Sequence, residues 1–281
     1  MLDGGLATEL EARGHDLSDE LWSARLLADD PGAVVAVHEA FFRAGAEVAT
    51  TASYQASFAG FAARGFDHAE TAALLAKSVA LAGKARDRVG GRRWIAASVG
   101  PYGATLADGS EYRGRYGLSV RELIAFHRPR AEILAAAGPD LLALETVPDV
   151  DEAAAMLAAI DGLGVPAWLS YTIAGERTRA GQPLEEAFAI AAGDEGIVAV
   201  GVNCCDPADA ARAIPVAREV SGKPVIAYPN SGEEWDAHTR RWTGLSRFDP
   251  VTLGDADYAG GCCRVRPADI AGLAARYRVS A

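Results

Sequence analysis

Three observations predict an α/β protein closed into an eight-stranded (β/α)8 barrel. Apolar, strand-like runs alternate with helical stretches along all 281 residues, and no compositional break marks a linker. The polar residues best suited to chemistry (Asp3, Glu145, Asn203, Cys204, Asn230, Cys262 and Cys263) fall at strand C-terminal ends, from the first strand to the last. Alternation alone implies a parallel sheet with right-handed crossovers, open or closed. Only closure gathers the two ends of the chain around one pocket. An open sheet would call for a phosphate loop such as GxGxxG or GxxxxGK[ST] after an early strand, and neither occurs. One domain, 1–281, is expected.

In order, Leu2-Asp3 reads as the stub of a first strand, followed by Gly4-Gly5, where backbone N–H groups can approach a ligand without Cβ interference. A Gly-rich turn is the structural alternative. Residues 31–46 place Val34, Val37, Phe41 and Phe42 at helical spacing, with Pro31 in the first turn and Gly45 at the stop. Strand 47–52 then leads into Ser53-Tyr54-Gln55. Helix 67–90 precedes strand 94–99, which ends at Gly100-Pro101, and helix 119–137 precedes the apolar strand 141–144, which ends at Glu145-Thr146. A carboxylate where a buried strand meets its loop is hard to explain by packing. Helix 149–162, strand 167–171, a helix at 184–192 and a strand ending at Cys204 follow. Helix 207–220, strand 224–228, the Cys262-Cys263 doublet and helix 268–278 complete the chain.

Composition excludes several classes. The net charge of −11 argues against nucleic acid, whose binders carry basic stripes. Asp3, Glu9, Glu11 and Arg13 interrupt any apolar leader, and no uncharged run approaches membrane-spanning length. Four clustered cysteines without a spread framework fit a reducing compartment, so a cytoplasmic protein is expected, with no membrane partner.

Those four cysteines form two doublets, Cys204-Cys205 and Cys262-Cys263, each at the end of an expected strand. Three or four converging thiolates would suit zinc, which accepts sulfur readily. The residues alone leave open the other reading, buried small hydrophobes plus one reactive thiol. Three thiolates on zinc would leave one open position and a negatively charged centre, poor at polarising water and good at hosting an anionic sulfur. The histidines (His15, His38, His68, His127, His238) do not form metal-ligand pairs, and His38 and His127, inside expected helices, read as structural or surface residues.

Asp3-Gly4-Gly5, Ala52-Ser53-Tyr54-Gln55, 98–104, 106–112, Phe126-His127-Arg128-Pro129-Arg130, Glu145-Thr146, Gly201-Val202-Asn203-Cys204, 228–233 and Gly260-Gly261-Cys262-Cys263-Arg264 together resemble the homocysteine S-methyltransferases, most of all the S-methylmethionine-using branch. The resemblance implies a TIM barrel with zinc on Cys204, Cys262 and Cys263, and leaves Cys205 to packing. It implies homocysteine bound through its sulfur, its amino-acid end held by Asp3, Gly4, Gly5 and Glu145. Asn230 is expected among the substrate contacts, and Tyr54, Trp22 and Tyr102 are candidates to hold a sulfonium by cation–π attraction. The expected reaction passes a methyl group from S-methylmethionine, or from S-adenosylmethionine, to homocysteine, giving methionine. A zinc hydrolase and a barrel with only a structural zinc are the rival readings. Two departures from the family stand out. Only Met1 and Leu2 precede Asp3, so the first strand is truncated and should not pair along its length. The 248–255 segment is too short and too Pro/Gly-broken for a full seventh helix, and the eighth strand looks short.

Overall fold

The computed structural model describes residues 1–19, 21–236 and 241–279; His238 lies outside the described residues. Seven parallel strands hydrogen-bond in sequence order: β1 (Val48–Thr50), β2 (Trp94–Val99), β3 (Leu141–Val147), β4 (Ala167–Tyr171), β5 (Ile197–Asn203), β6 (Val225–Tyr228) and β7 (Tyr258–Ala259). Between β7 and β1 runs the expected first strand, reduced to a single parallel bridge, Leu2 to Val48. That stub still closes the ring. Leu2 N–H donates to the Ala259 carbonyl at 2.8 Å, Asp3 N–H to the Val48 carbonyl at 3.1 Å, and Gly261 N–H to the Asp3 carbonyl at 3.0 Å. The first strand is as short as the sequence indicated, yet the ring closes because Met1 and Asp3 bond the β1 side while Leu2 and Asp3 bond the β7 side.

The helices start where local chemistry caps them. Helix α1 (Leu6–Ala12) follows the Gly pair directly, whereas α2 (Pro31–Ala44) begins at Asp30, whose carboxylate accepts from Ala33 N–H, and stops at left-handed Gly45. Reciprocal capping boxes open α3 (His68–Val89) through Asp67 and Glu70, and α4 (Val120–Ala136) through Ser119 and Glu122. Asp149 caps α5 (Val150–Ile160); α6 (Leu184–Ala189) is short; Asp206 caps α7 (Pro207–Ser221); α8 (Pro267–Val279) is the last. In place of a full helix between β6 and β7 stand a two-stranded hairpin, whose strands are Glu234–Asp236 and Arg241–Thr243, and a 3-10 turn at Pro250–Leu253, as the broken 248–255 sequence implied.

Two apolar layers result. Leu2, Ala96, Ala143, Trp168, Ala199, Ile226 and Tyr228 fill the barrel interior, small residues facing large ones. A larger layer including Phe41, Phe42, Leu75, Leu134, Leu144 and Phe188 packs the helices onto the outside of the strands. Polar side chains near the strand C-terminal ends, Asp3, Thr50 and Glu145 among them, lie outside both layers and line the space above the interior. Among the described residues no helix is long and apolar enough to cross a membrane.

Candidate active site

An open-mouthed pocket lies at that end of the barrel. Asp3, Gly4, Gly5, Glu145, Cys204, Cys262, Cys263, Trp22 and Tyr54 all line it, although they come from opposite ends of the chain. The glycine pair is dictated by crowding: a Cβ on Gly4 would stand 2.6 Å from the Val265 carbonyl, and one on Gly5 2.6 Å from the Cys262 carbonyl. The first loop is thereby packed against the cysteine doublet.

The sulfurs of Cys204, Cys262 and Cys263 lie within 4.8 Å of one another, the one cluster among the described residues that could hold a metal. Cys204 and Cys262 are joined as a disulfide, Cα atoms 5.6 Å apart, and Cys263 is free. Reduction of that pair frees two thiols, which with Cys263 make three on one side of the pocket. Their chemistry fits a soft divalent cation: burial pushes the Cys263 thiol up to about 12, with Glu11 and Glu111 acting in the same direction, so an unpartnered thiolate is disfavoured and a cation is required to form one. Cys205 points away into the core, where burial raises its thiol further still.

Opposite in character are the two carboxylates. Asp3 accepts from Thr50 N–H at 2.9 Å and from its hydroxyl at 3.1 Å; Glu145 accepts from the Ser98 hydroxyl and, at 3.1 Å, from the Tyr228 hydroxyl, which in turn accepts from Trp168 Nε1 at 2.9 Å. Burial raises Asp3 to about 8 and Glu145 to about 7, the charge of Glu145 adding to the shift of Asp3. Hydrogen-bond donors partly offset this, but neither carboxylate has an ion-pair partner among the described residues. Two buried acids without a cationic partner thus line one pocket.

Backbone strain gathers here too. Thr146, Cys204 and Trp22 adopt positive φ of 58°, 49° and 51°, each costing on the order of 1–3 kcal/mol for a non-glycine residue. Asn203 holds Thr146 in place: its Oδ1 accepts from Thr146 N–H at 2.7 Å and from the Ser170 hydroxyl at 2.9 Å, and its Nδ2 donates to Thr146 Oγ1 at 2.7 Å.

Two residues expected at the substrate stand outside the pocket lining. Asn230 does not line the pocket; its Oδ1 accepts from Cys263 N–H at 3.2 Å and its own N–H donates to the Cys205 carbonyl, so it braces the doublet from behind. Tyr102 also turns away, packing against Tyr116 and Phe126. His38 and His127 are fully buried in helices, as expected of structural residues, and burial lowers both. Sequence reasoning missed Tyr112, which lines the pocket together with Cys263, and the Thr50, Ser98 and Tyr228 donors. Their signal was present in motifs already singled out, but an aromatic or hydroxyl residue there looks like packing.

Fold and site define a barrel enzyme with a thiol-rich candidate metal centre beside an acidic receptor. The sequence model of a family described as "Homocysteine S-methyltransferase" matches residues 1–277. The homocysteine S-methyltransferase of Escherichia coli K12 is 46% identical over 292 residues, covering 98% of this chain and 94% of that protein. The structure matches the E. coli homocysteine methyltransferase MmuM in its metallated form with a TM-score of 0.87 (46% identity, 98% of this chain, 95% of that one). It matches the oxidised form of the same protein at 0.86 (46% identity, 98% and 94%). The chain belongs to the homocysteine S-methyltransferase family.

Proposed function

We propose that this chain transfers a methyl group from S-methylmethionine to homocysteine, with zinc held by Cys204, Cys262 and Cys263. The observation that carries the reading is the pairing, in one pocket, of three clustered sulfurs with two buried, cation-seeking carboxylates. Zinc on the three thiolates would supply a soft cation that keeps a substrate thiol ionised at neutral pH. Asp3 and Glu145 take the substrate ammonium, whose charge replaces the missing ion-pair partner and draws both acids into their ionised forms. Gly4 and Gly5 line the pocket beside Asp3, where the amino-acid end would lie.

The homocysteine sulfur attacks the sulfonium methyl in line. One S–C bond forms, the sulfonium S–C bond breaks, the released electron pair stays on the departing thioether, and the thiol proton leaves to solvent. With S-methylmethionine both products are methionine, so one acidic receptor can serve both sulfur amino acids. Charge is neutralised at the transition state, which favours a dry, well-ordered site over acid catalysis. Trp22 and Tyr54 supply aromatic surface for the sulfonium. A reducing, cytoplasmic compartment would keep the three thiols free.

Metal analysis of reduced protein and competition among S-methylmethionine, S-adenosylmethionine and betaine test the reading. About one zinc per chain and a preference for S-methylmethionine are expected. A betaine preference, or S-adenosylmethionine better by tenfold (about 1.4 kcal/mol of transition-state binding), would overturn the donor assignment.

A further inference from the structure

Arg130 is fully buried in α4 and lines no part of the pocket, yet it reaches toward it. Its Nη1 donates to the Gly100 carbonyl at 3.2 Å and its Nη2 to the Tyr54 carbonyl at 3.1 Å, while the guanidinium lies 5.1 Å over the Phe126 ring. No carboxylate forms an ion pair with it among the described residues. The nearest acid in influence, Glu152, spends its oxygens on Tyr102 N–H at 2.6 Å, the Tyr116 hydroxyl at 3.0 Å and His127 Nε2 at 3.0 Å. Burial correspondingly lowers Arg130 to about 10. A cation buried on two carbonyls and a ring is a poor way to gain stability, since apolar residues of similar volume do as well. What the guanidinium does, and an apolar side chain cannot, is hold two neighbouring loops in fixed register through a planar fork.

Those loops converge on one residue. A Cβ on Gly100 would stand 2.5 Å from the Tyr54 carbonyl oxygen and 2.7 and 2.8 Å from its ring carbons, so the Tyr54 ring rests directly on Gly100. Tyr54 lines the pocket together with Thr146, the strained residue beside Glu145. We propose that Arg130 is a positioning residue for the methyl donor: it fixes Tyr54, seated on Gly100, as the aromatic wall against which the donor's cationic centre is held.

This rests on the proposed reaction, so wild-type turnover of S-methylmethionine is measured first and scores that reading by itself; if another sulfonium is preferred, the variants are assayed with it. Arg130→Lys keeps the charge but cannot span both carbonyls. It should lower kcat/KM for the donor by roughly tenfold, with the KM for homocysteine and the metal content unchanged. Gly100→Ala, which displaces the Tyr54 ring and carbonyl from the other side while leaving the guanidinium itself in place, should show the same split and decides the matter if the lysine variant does not fold. In a Tyr54→Ala background Arg130→Lys should add no further loss, because residues acting through one another are not additive. Donor kcat/KM close to wild type in both single variants, an equal rise in the KM for homocysteine, or losses that multiply with Tyr54→Ala would each overturn the proposal.

Discussion

Replacing Glu145 by Gln keeps the shape of the side chain and removes its charge, and its two consequences have opposite signs. Both carboxylate oxygens already accept a hydroxyl, from Ser98 and from Tyr228. The amide keeps one acceptor, while its NH2 must face a hydroxyl that can turn to accept. The lost element is therefore the charge that a substrate ammonium would meet. A charged hydrogen bond of this kind contributes roughly 1.5–3 kcal/mol, which corresponds to a rise of about 10- to 150-fold in the KM for homocysteine. Stability moves the other way. Because the folded protein holds Glu145 near 7, above its value of 4.5 in an unfolded chain, the native state binds more protons than the unfolded state between those values. Its contribution is present below about 4.5 and lost as pH rises through about 7. Glu145→Gln abolishes the loss, so the free variant should melt higher than wild type at pH 8, with little difference at pH 5. Steady-state kinetics and melting curves at the two pH values check both halves. An unchanged KM for homocysteine, or a lower Tm at pH 8, would refute the reasoning.

Other expectations follow from the same geometry. Cys262→Ser should lose most of the bound zinc by elemental analysis of reduced protein, and full retention would remove this residue from the ligand set. Homocysteine binding at pH 6 should release protons, because Asp3 and Glu145 start protonated and are ionised against the ammonium; calorimetry in buffers of different ionisation enthalpy measures it, and proton uptake would contradict it. Asn203→Ala removes three hydrogen bonds, two of them bracing Thr146 and one from Ser170; a loss of about 2–4 kcal/mol is expected in denaturant unfolding, and a loss below about 0.5 kcal/mol would show that Thr146 holds its strained φ unaided.

The alternating elements were legible because each strand is a short apolar run and most long helices carry their own caps, Asp30, Asp67, Ser119, Asp149 and Asp206 among them. The cysteine doublets and Glu145 stood out because their chemistry is ill suited to the positions they occupy. Less could be read where a residue's role depends on its surroundings. Asn230 and Asn203 look alike in sequence, each at the end of a strand, and only the fold shows them bracing a cysteine loop and a strained threonine from outside the pocket. The left-handed Thr146 and Cys204 carried no glycine to announce them. Tyr102 and Tyr112 are separated by ten positions in adjoining motifs, and which ring meets the pocket is set by packing against Tyr116 and Phe126.

The joint between Leu2-Asp3 and Ala259-Gly261 gives the site an unusual economy. The same few residues that finish the ring carry, on one side, the acid expected to take the ammonium and lead, on the other, into the sulfurs of Cys262 and Cys263. A substrate held by Asp3 and a metal held by Cys262 would each grip one lip of a single seam. Whatever occupies either place stabilises the closed ring by mass action and so favours occupation of the other. Amide exchange at Leu2 and Gly261 should accordingly slow on loading with zinc alone, slow again with homocysteine, and report the occupancy of the pocket from the hoop that holds it shut.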